Sequence, residues 1–189
     1  MKIYTLLGLF IFLMTSCGQQ TTSRTGEQVN LAGYEIEKGN NGLERAAMKD
    51  VNGVVVEEGF VRNGGKEGTW VKYHPNGKGI KSVAAYIDGQ LNGIFIEFDQ
   101  QNRMISRIGY KDGVYHGPGA KYRTNRPVEE FTYKNGKLEG KYLQYDDRYG
   151  NLIKEIDYKD GKVHGRMVQY NREGDVVSEY KYENGEIVK

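Results

Sequence analysis

Histidine is the side chain best suited to move a proton near neutral pH, and this chain has three: His74, His116 and His164. A shared metal would need ligands within ~2 Å of one ion. His116 and His164 occupy the same slot of a sequence repeat, two units apart. In a meander of hairpins that is four strand spacings, ~19 Å. His74 lies at a different turn. The carboxylates Asp88, Asp112 and Asp160 each precede a glycine, where an acid serves the turn itself. Lys111, Lys134, Lys137, Lys159 and Lys162 form a loose basic edge, but Glu139 and Glu155 break up its field, so a solvated rim explains them better than an anion-binding strip. Glycine-rich spacing here lacks the strand–loop–helix setting of a phosphate loop. These residues give no expectation of a catalytic residue, a metal site or a cofactor.

The single cysteine, Cys17, excludes a disulfide framework and any multi-cysteine metal site. It follows Met1-Lys2 and a mostly apolar run from Ile3 to Met14. A spanning helix needs about twenty apolar residues, so the run reads as a signal-peptide core. Met14-Thr15-Ser16-Cys17-Gly18 resembles a bacterial lipobox, with Met14 standing where leucine is commoner. The resemblance implies cleavage before Cys17 and lipid on its sulfur. A further acyl chain on the new amino terminus would give stable two-signal anchoring. Residues 1–16 are then a lipoprotein signal peptide, and the chain is expected at the bacterial cell envelope, lipid-anchored at the outer membrane. Residues 17–33 read as a flexible tether, because Gly18–Asn30 is too polar to order itself.

Charge narrows the partners. With 27 basic and 25 acidic residues among 189, the chain lacks the basic footprint of a nucleic-acid binder. The bias lies in 26 Gly and 15 Tyr against 3 Pro, a composition of turn-rich β-structure.

The elements that position these residues are written as a repeat. Tyr86-Ile-Asp-Gly89, Tyr110-Lys-Asp-Gly113, Tyr133-Lys-Asn-Gly136, Tyr158-Lys-Asp-Gly161 and Tyr182-Glu-Asn-Gly185 share one form, and Val61-Arg-Asn-Gly64 lacks only the aromatic. Four residues after the first five of these glycines stand Gly68, Gly93, Gly117, Gly140 and Gly165. Five residues further on come Tyr73, Phe98, Tyr122, Tyr145 and Tyr170. Between the landmarks lie two strand-length runs per unit, separated by turn residues.

Two registers are open at each x-[Asp/Asn]-Gly turn. A two-residue loop at Asn135-Gly136 pairs Tyr133 with Leu138 and sends Tyr133 and Tyr145 to opposite faces. A three-residue loop pairs Tyr133 with Lys137 and puts both on one face. The second gathers Tyr73, Phe98, Tyr122, Tyr145 and Tyr170 with Tyr86, Tyr110, Tyr133, Tyr158 and Tyr182 into one stripe, so a type I turn with a left-handed glycine and a bulge is expected. This ten-residue stripe is the candidate binding surface, with Gly68 and its equivalents on the opposite, polar face.

Residues 34–64 read as an N-terminal capping segment with a degenerate repeat, and residues 65–189 as hairpin repeats. The competing reading of Gly42–Lys49 is a short helix, since Leu-Glu-Arg-Ala-Ala-Met-Lys propagates helix well.

Residues 133–145, Tyr-Lys-Asn-Gly-Lys-Leu-Glu-Gly-Lys-Tyr-Leu-Gln-Tyr, resemble the consensus of the bacterial MORN-repeat variant. The likeness covers about residues 57–187 and includes the YwqK-like antitoxin group. It implies an all-β protein, an elongated antiparallel meander of about six hairpin repeats. It also implies protein scaffolding or, by the group's label alone, an antitoxin that neutralises a cognate partner. Only Gly117-Pro-Gly119 keeps the Gly-x-Gly ending of classical MORN units, so lipid binding transfers poorly. Such a sheet must curl over its stripe, dimerise through it or offer it to an unknown protein partner. The resulting expectation is a non-enzymatic, membrane-anchored binding or scaffold module.

Overall fold

The fold is that of a computed structural model, which describes residues 29–75 and 77–188. The signal peptide, Cys17 and the tether as far as residue 28 lie outside the described residues.

Every regular element among the described residues is a strand. β1 (Tyr34–Lys38), β2 (Leu43–Lys49), β3 (Val55–Arg62), β4 (Gly65–Tyr73) and β5 (Ile80–Ile87) come first. β6 (Gln90–Phe98), β7 (Met104–Lys111), β8 (Val114–Arg123), β9 (Arg126–Lys134) and β10 (Lys137–Leu138) follow. β11 (Gly140–Tyr145), β12 (Leu152–Lys159), β13 (Lys162–Tyr170), β14 (Val176–Glu183) and β15 (Glu186–Val188) complete the sheet. All fifteen form one open antiparallel meander in chain order, with β10 and β11 two parts of one strand interrupted at Glu139. At ~4.8 Å per strand the sheet extends roughly 60 Å. No helix among the described residues is long and apolar enough to cross a membrane.

Residues 34–64 form the three strands β1, β2 and β3. β2 takes up Leu43–Lys49, so no helix forms there, because pairing on both sides outweighs a weak propensity. Its two alanines are buried on opposite faces, Ala46 at 0% and Ala47 at 8% exposure. The chain just before β1 also lies against the sheet. Val29 N–H donates to the Gly64 carbonyl at 2.9 Å, and Leu31 and Tyr34 pack on the cluster of Ala46, Val61 and Trp70.

The turns correct the expected register. Lys134 opposes Lys137 and Tyr133 opposes Leu138, leaving a two-residue loop. Asn135 and Gly136 have φ of 52° and 83°, both left-handed, as a type I′ turn requires. The other five x-[Asp/Asn]-Gly turns repeat this. Such a turn twists as its flanking strands twist, and Asp, Asn and Gly tolerate the geometry, so no bulge residue is needed in the loop.

The expected three-residue design exists, but at the opposite end of the strands. Gly53, Asn102 and Gly174 N–H groups close turns onto the carbonyls of Asp50, Asp99 and Asn171 at 3.0, 3.0 and 3.2 Å. Each closing residue is left-handed. Asp50 Oδ1 accepts the amides of Asn52 and Val54 at 2.9 Å each, and Asp99 does the same for Gln101 and Arg103.

Extra residues enter the ladder near each second glycine. Tyr86 opposes Leu91, yet Ala84 opposes Phe95, so three residues on β6 face one on β5. The same shift recurs between β7 and β8 and between β12 and β13. Gly68, Gly93, Gly117, Gly140 and Gly165 carry the bend with φ of 67°, 120°, 83°, 79° and 115°. Two added residues leave the alternation of side chains unchanged. The glycines oppose Tyr86, Tyr110, Tyr133, Tyr158 and Tyr182 respectively, so they lie on the tyrosine face and not on the polar face assigned to them.

Candidate binding surface

The ten rings do not form one stripe. From Leu138, opposite Tyr133, to Tyr145 is an odd number of residues, so the shorter turn places Tyr145 on the other side of the sheet. Tyr86, Tyr110, Tyr133, Tyr158 and Tyr182 share the front face. Tyr73, Phe98, Tyr122, Tyr145 and Tyr170 lie on the back.

Three rows cross the front face at right angles to the strands. The first is polar and runs Glu57, Lys72, Ser82, Glu97, Ser106, Lys121, Glu129, each directly opposite the next. It continues through Gln144, Lys154 and Gln169 to Ser178. The second row is apolar: Trp70, Ala84, Phe95, Ile108, Gly119 and Phe131 oppose one another in turn. The third holds the repeat tyrosines, alternating with the bulge glycines. Buried apolar side chains number few in so thin a sheet. Val61, Trp70, Ala84, Phe131 and Ile156 are buried on the front, and Ala120 and Val168 on the back.

Rings of the second and third rows interlock. Trp70 meets Tyr34 and Tyr86 edge-on at 6.0 and 6.5 Å. A longer run links Phe95 to Tyr110 at 6.3 Å, Tyr110 to Tyr115 at 4.9 Å and Tyr115 to Tyr133 at 4.9 Å. It then passes through Phe131 and Tyr142 to Tyr158 at steps of 5.4, 6.2 and 6.2 Å. Neighbouring rings are the burial that raises the phenols of Tyr110 and Tyr133 above the ordinary range. Burial, with a bond to Glu129, pushes Tyr142 up to about 12.

The back face uses its phenols differently. The Tyr73 hydroxyl donates to Glu58 Oε1 at 2.7 Å, and Tyr145 to Glu130 Oε2 at 2.6 Å. Burial, then the Glu130 bond, pushes Tyr145 up to about 12. Phe98, Tyr122 and Tyr170 sit opposite Met104, Pro127 and Val176 at the bulged ends of their strands.

The histidines have structural posts. His116 Nδ1 receives the Asn135 amide and His164 Nδ1 the Asn184 amide, each at 3.4 Å. The same slot holds Glu67 and Glu139, which accept the amides of Asp88 and Asp160 at 3.1 and 2.9 Å. Asn92 completes the set by donating to the Asp112 carboxylate at 3.0 Å. Every unit thus caps the turn of the next. The sequence signal was a polar side chain always one residue before the second glycine. His74 is 7% exposed, with Nε2 2.9 Å from the Asp99 carbonyl. No cluster of three His, Cys, Asp or Glu that could hold a metal occurs among the described residues.

A cleft of about 230 Å³ opens over β4, β5 and β6, bounded by Glu57, Lys66, Lys72, Lys81, Ser82 and Phe95. Trp70 forms its floor, 2% exposed, with Lys66 Nζ 4.0 Å above the ring. The Trp70 indole donates to the Phe60 carbonyl at 2.8 Å. Glu57 lies 2.7 Å from Lys66 and 3.4 Å from Lys72. Burial pushes its carboxyl up, but the Lys66 bond and charge, with Lys72, outweigh this and hold it below the usual range.

No family model matches this chain, and no curated protein matches it. Among solved structures it is similar to a S. aureus TarM mutant in complex with Fondaparinux, alpha-GlcNAc-glycerol and UDP, at TM-score 0.32 and 11% identity. That match covers 74% of this chain and 22% of TarM. A second TarM structure gives TM-score 0.28 and 12% identity over 69% of this chain and 22% of TarM. Neither bears on what this chain does.

Proposed function

We propose that this chain is a non-enzymatic lipoprotein of the MORN-variant type, lipidated at Cys17 and anchored at the outer membrane of a bacterial envelope, whose tyrosine-bearing front face binds a protein partner. The observation that supports this reading best is a ladder of half-buried rings on a sheet one layer thick. Tyrosine is enriched where proteins meet because it offers a large apolar area with a polar tip at low entropic cost. A polar row beside the rings supplies hydrogen bonds for orientation.

Faces make the test discriminating. The immobilised mature chain should capture a membrane partner that Tyr110→Ala with Tyr158→Ala loses by about tenfold or more. Tyr122→Ala with Tyr170→Ala, on the back, should leave capture intact. Equal sensitivity of the two pairs, with the β-signal in circular dichroism unchanged, discards the front face as the binding surface. The anchor is tested by palmitate labelling, which Cys17→Ser should abolish and globomycin should arrest.

A further inference from the structure

The cleft over Trp70 has an uneven supply of hydrogen-bonding groups. Its acids are already engaged, Glu57 by Lys66 and Lys72, and Glu97 by the Ser106 hydroxyl at 2.8 Å. Its donors are not. Lys81 makes no ion pair among the described residues, and the Ser82 hydroxyl, open to the solvent of the cleft, is bonded to no other described residue. Ser82 opposes both Lys72 and Glu97, yet Glu97 turns to Ser106 instead. Unused donors beside an apolar wall call for an acceptor carried on an apolar stem.

We propose that this cleft anchors an acidic side chain of an extended partner segment, its carboxylate received by Lys81 and Ser82 with Lys72 alongside, and its methylene stem lying on Phe95. The assignment rests on the front face being the partner-binding face and names the chemistry that face selects. A charge-assisted bond into a half-enclosed cleft gives specificity for acid over amide, because glutamine at the same place leaves the ammonium without its counter-charge.

Trp70 is the only tryptophan of the chain, so its emission reports from the site itself. The full mature chain is titrated with a capped leucine–glutamate–leucine peptide, its glutamine twin, and acetate, following emission and heat of binding. The glutamate peptide should bind saturably and about tenfold more tightly than the glutamine twin, with Lys81→Gln and Ser82→Ala each removing most of that preference. Equal binding of the two peptides, or an unchanged preference in both variants, overturns the proposal. Acetate binding as tightly as the peptide also overturns it, in favour of a free-carboxylate site. If no peptide binds while partner capture still depends on Tyr110 and Tyr158, the cleft assignment falls and the face reading stands.

Discussion

At the scale of single residues, glycine decides where the largest rings can lie. A Cβ on Gly59 would come within 2.4 Å of the Trp70 ring, and one on Gly119 within 2.2 Å of Phe131. Each ring lies flat on a neighbour strand that has been cleared for it. Gly59→Ala should therefore lift Trp70, costing about 1–3 kcal/mol as overpacking does, visible as a red-shifted emission and a lower midpoint in urea. The phenols offer a second residue-level check. Tyr34, Tyr142 and Tyr145 are pushed up to about 12 from an ordinary 10.0. A raised phenol favours the folded state fully below pH 10 and loses that contribution as pH climbs toward 12. The phenolate absorbance of these three tyrosines should accordingly appear only toward pH 12, with stability falling between pH 10 and 12. A rise centred at the ordinary value would contradict the ring ladder.

At the scale of the hairpin, turn chemistry sets which side chains share a face. Asn135 sits at φ 52° within a two-residue loop. Asn135→Ala should cost about 1 kcal/mol, since a Cβ without a local hydrogen-bonding group is poorly tolerated there, and fraying should be confined to β9 and β10 in hydrogen exchange. Glu139→Ala, which removes the cap on the Asp160 amide, should instead loosen the following turn, in β12 and β13. Much of this was legible in the sequence: the strand pairs and the turn positions follow from spacing. Parity was not. Whether one residue more or less stands in the loop flips every downstream side chain, and Asn135-Gly136 fits either count by composition alone. The cleft was equally hidden, because Lys72, Lys81, Ser82 and Phe95 come together only once the pairing of β4, β5 and β6 is known.

At the scale of the whole molecule, stability is nearest-neighbour. Each strand pairs only with those adjoining it, and each unit is bonded to the next at its turn. Deleting residues 137–161 joins Gly136 to Lys162 in the same phase of the repeat. Such a variant should stay folded and melt about 5–10 °C lower, as expected for a loss of roughly 2–3 kcal/mol in a chain of this size. Collapse of the whole β-signal would show instead that the sheet is one indivisible unit.

The amide of each turn glycine adds a direction to that construction. Gly89, Gly113, Gly136, Gly161 and Gly185 donate backward to the carbonyls of Lys66, Leu91, Tyr115, Leu138 and Val163, at 2.8–2.9 Å throughout. In these five bonds the later turn donates to the strand that follows the earlier one. A polypeptide emerging amino end first can thus close like a zip, every new link finding its catch already in place. Growth from the other end would leave each clasp waiting for a seat not yet built.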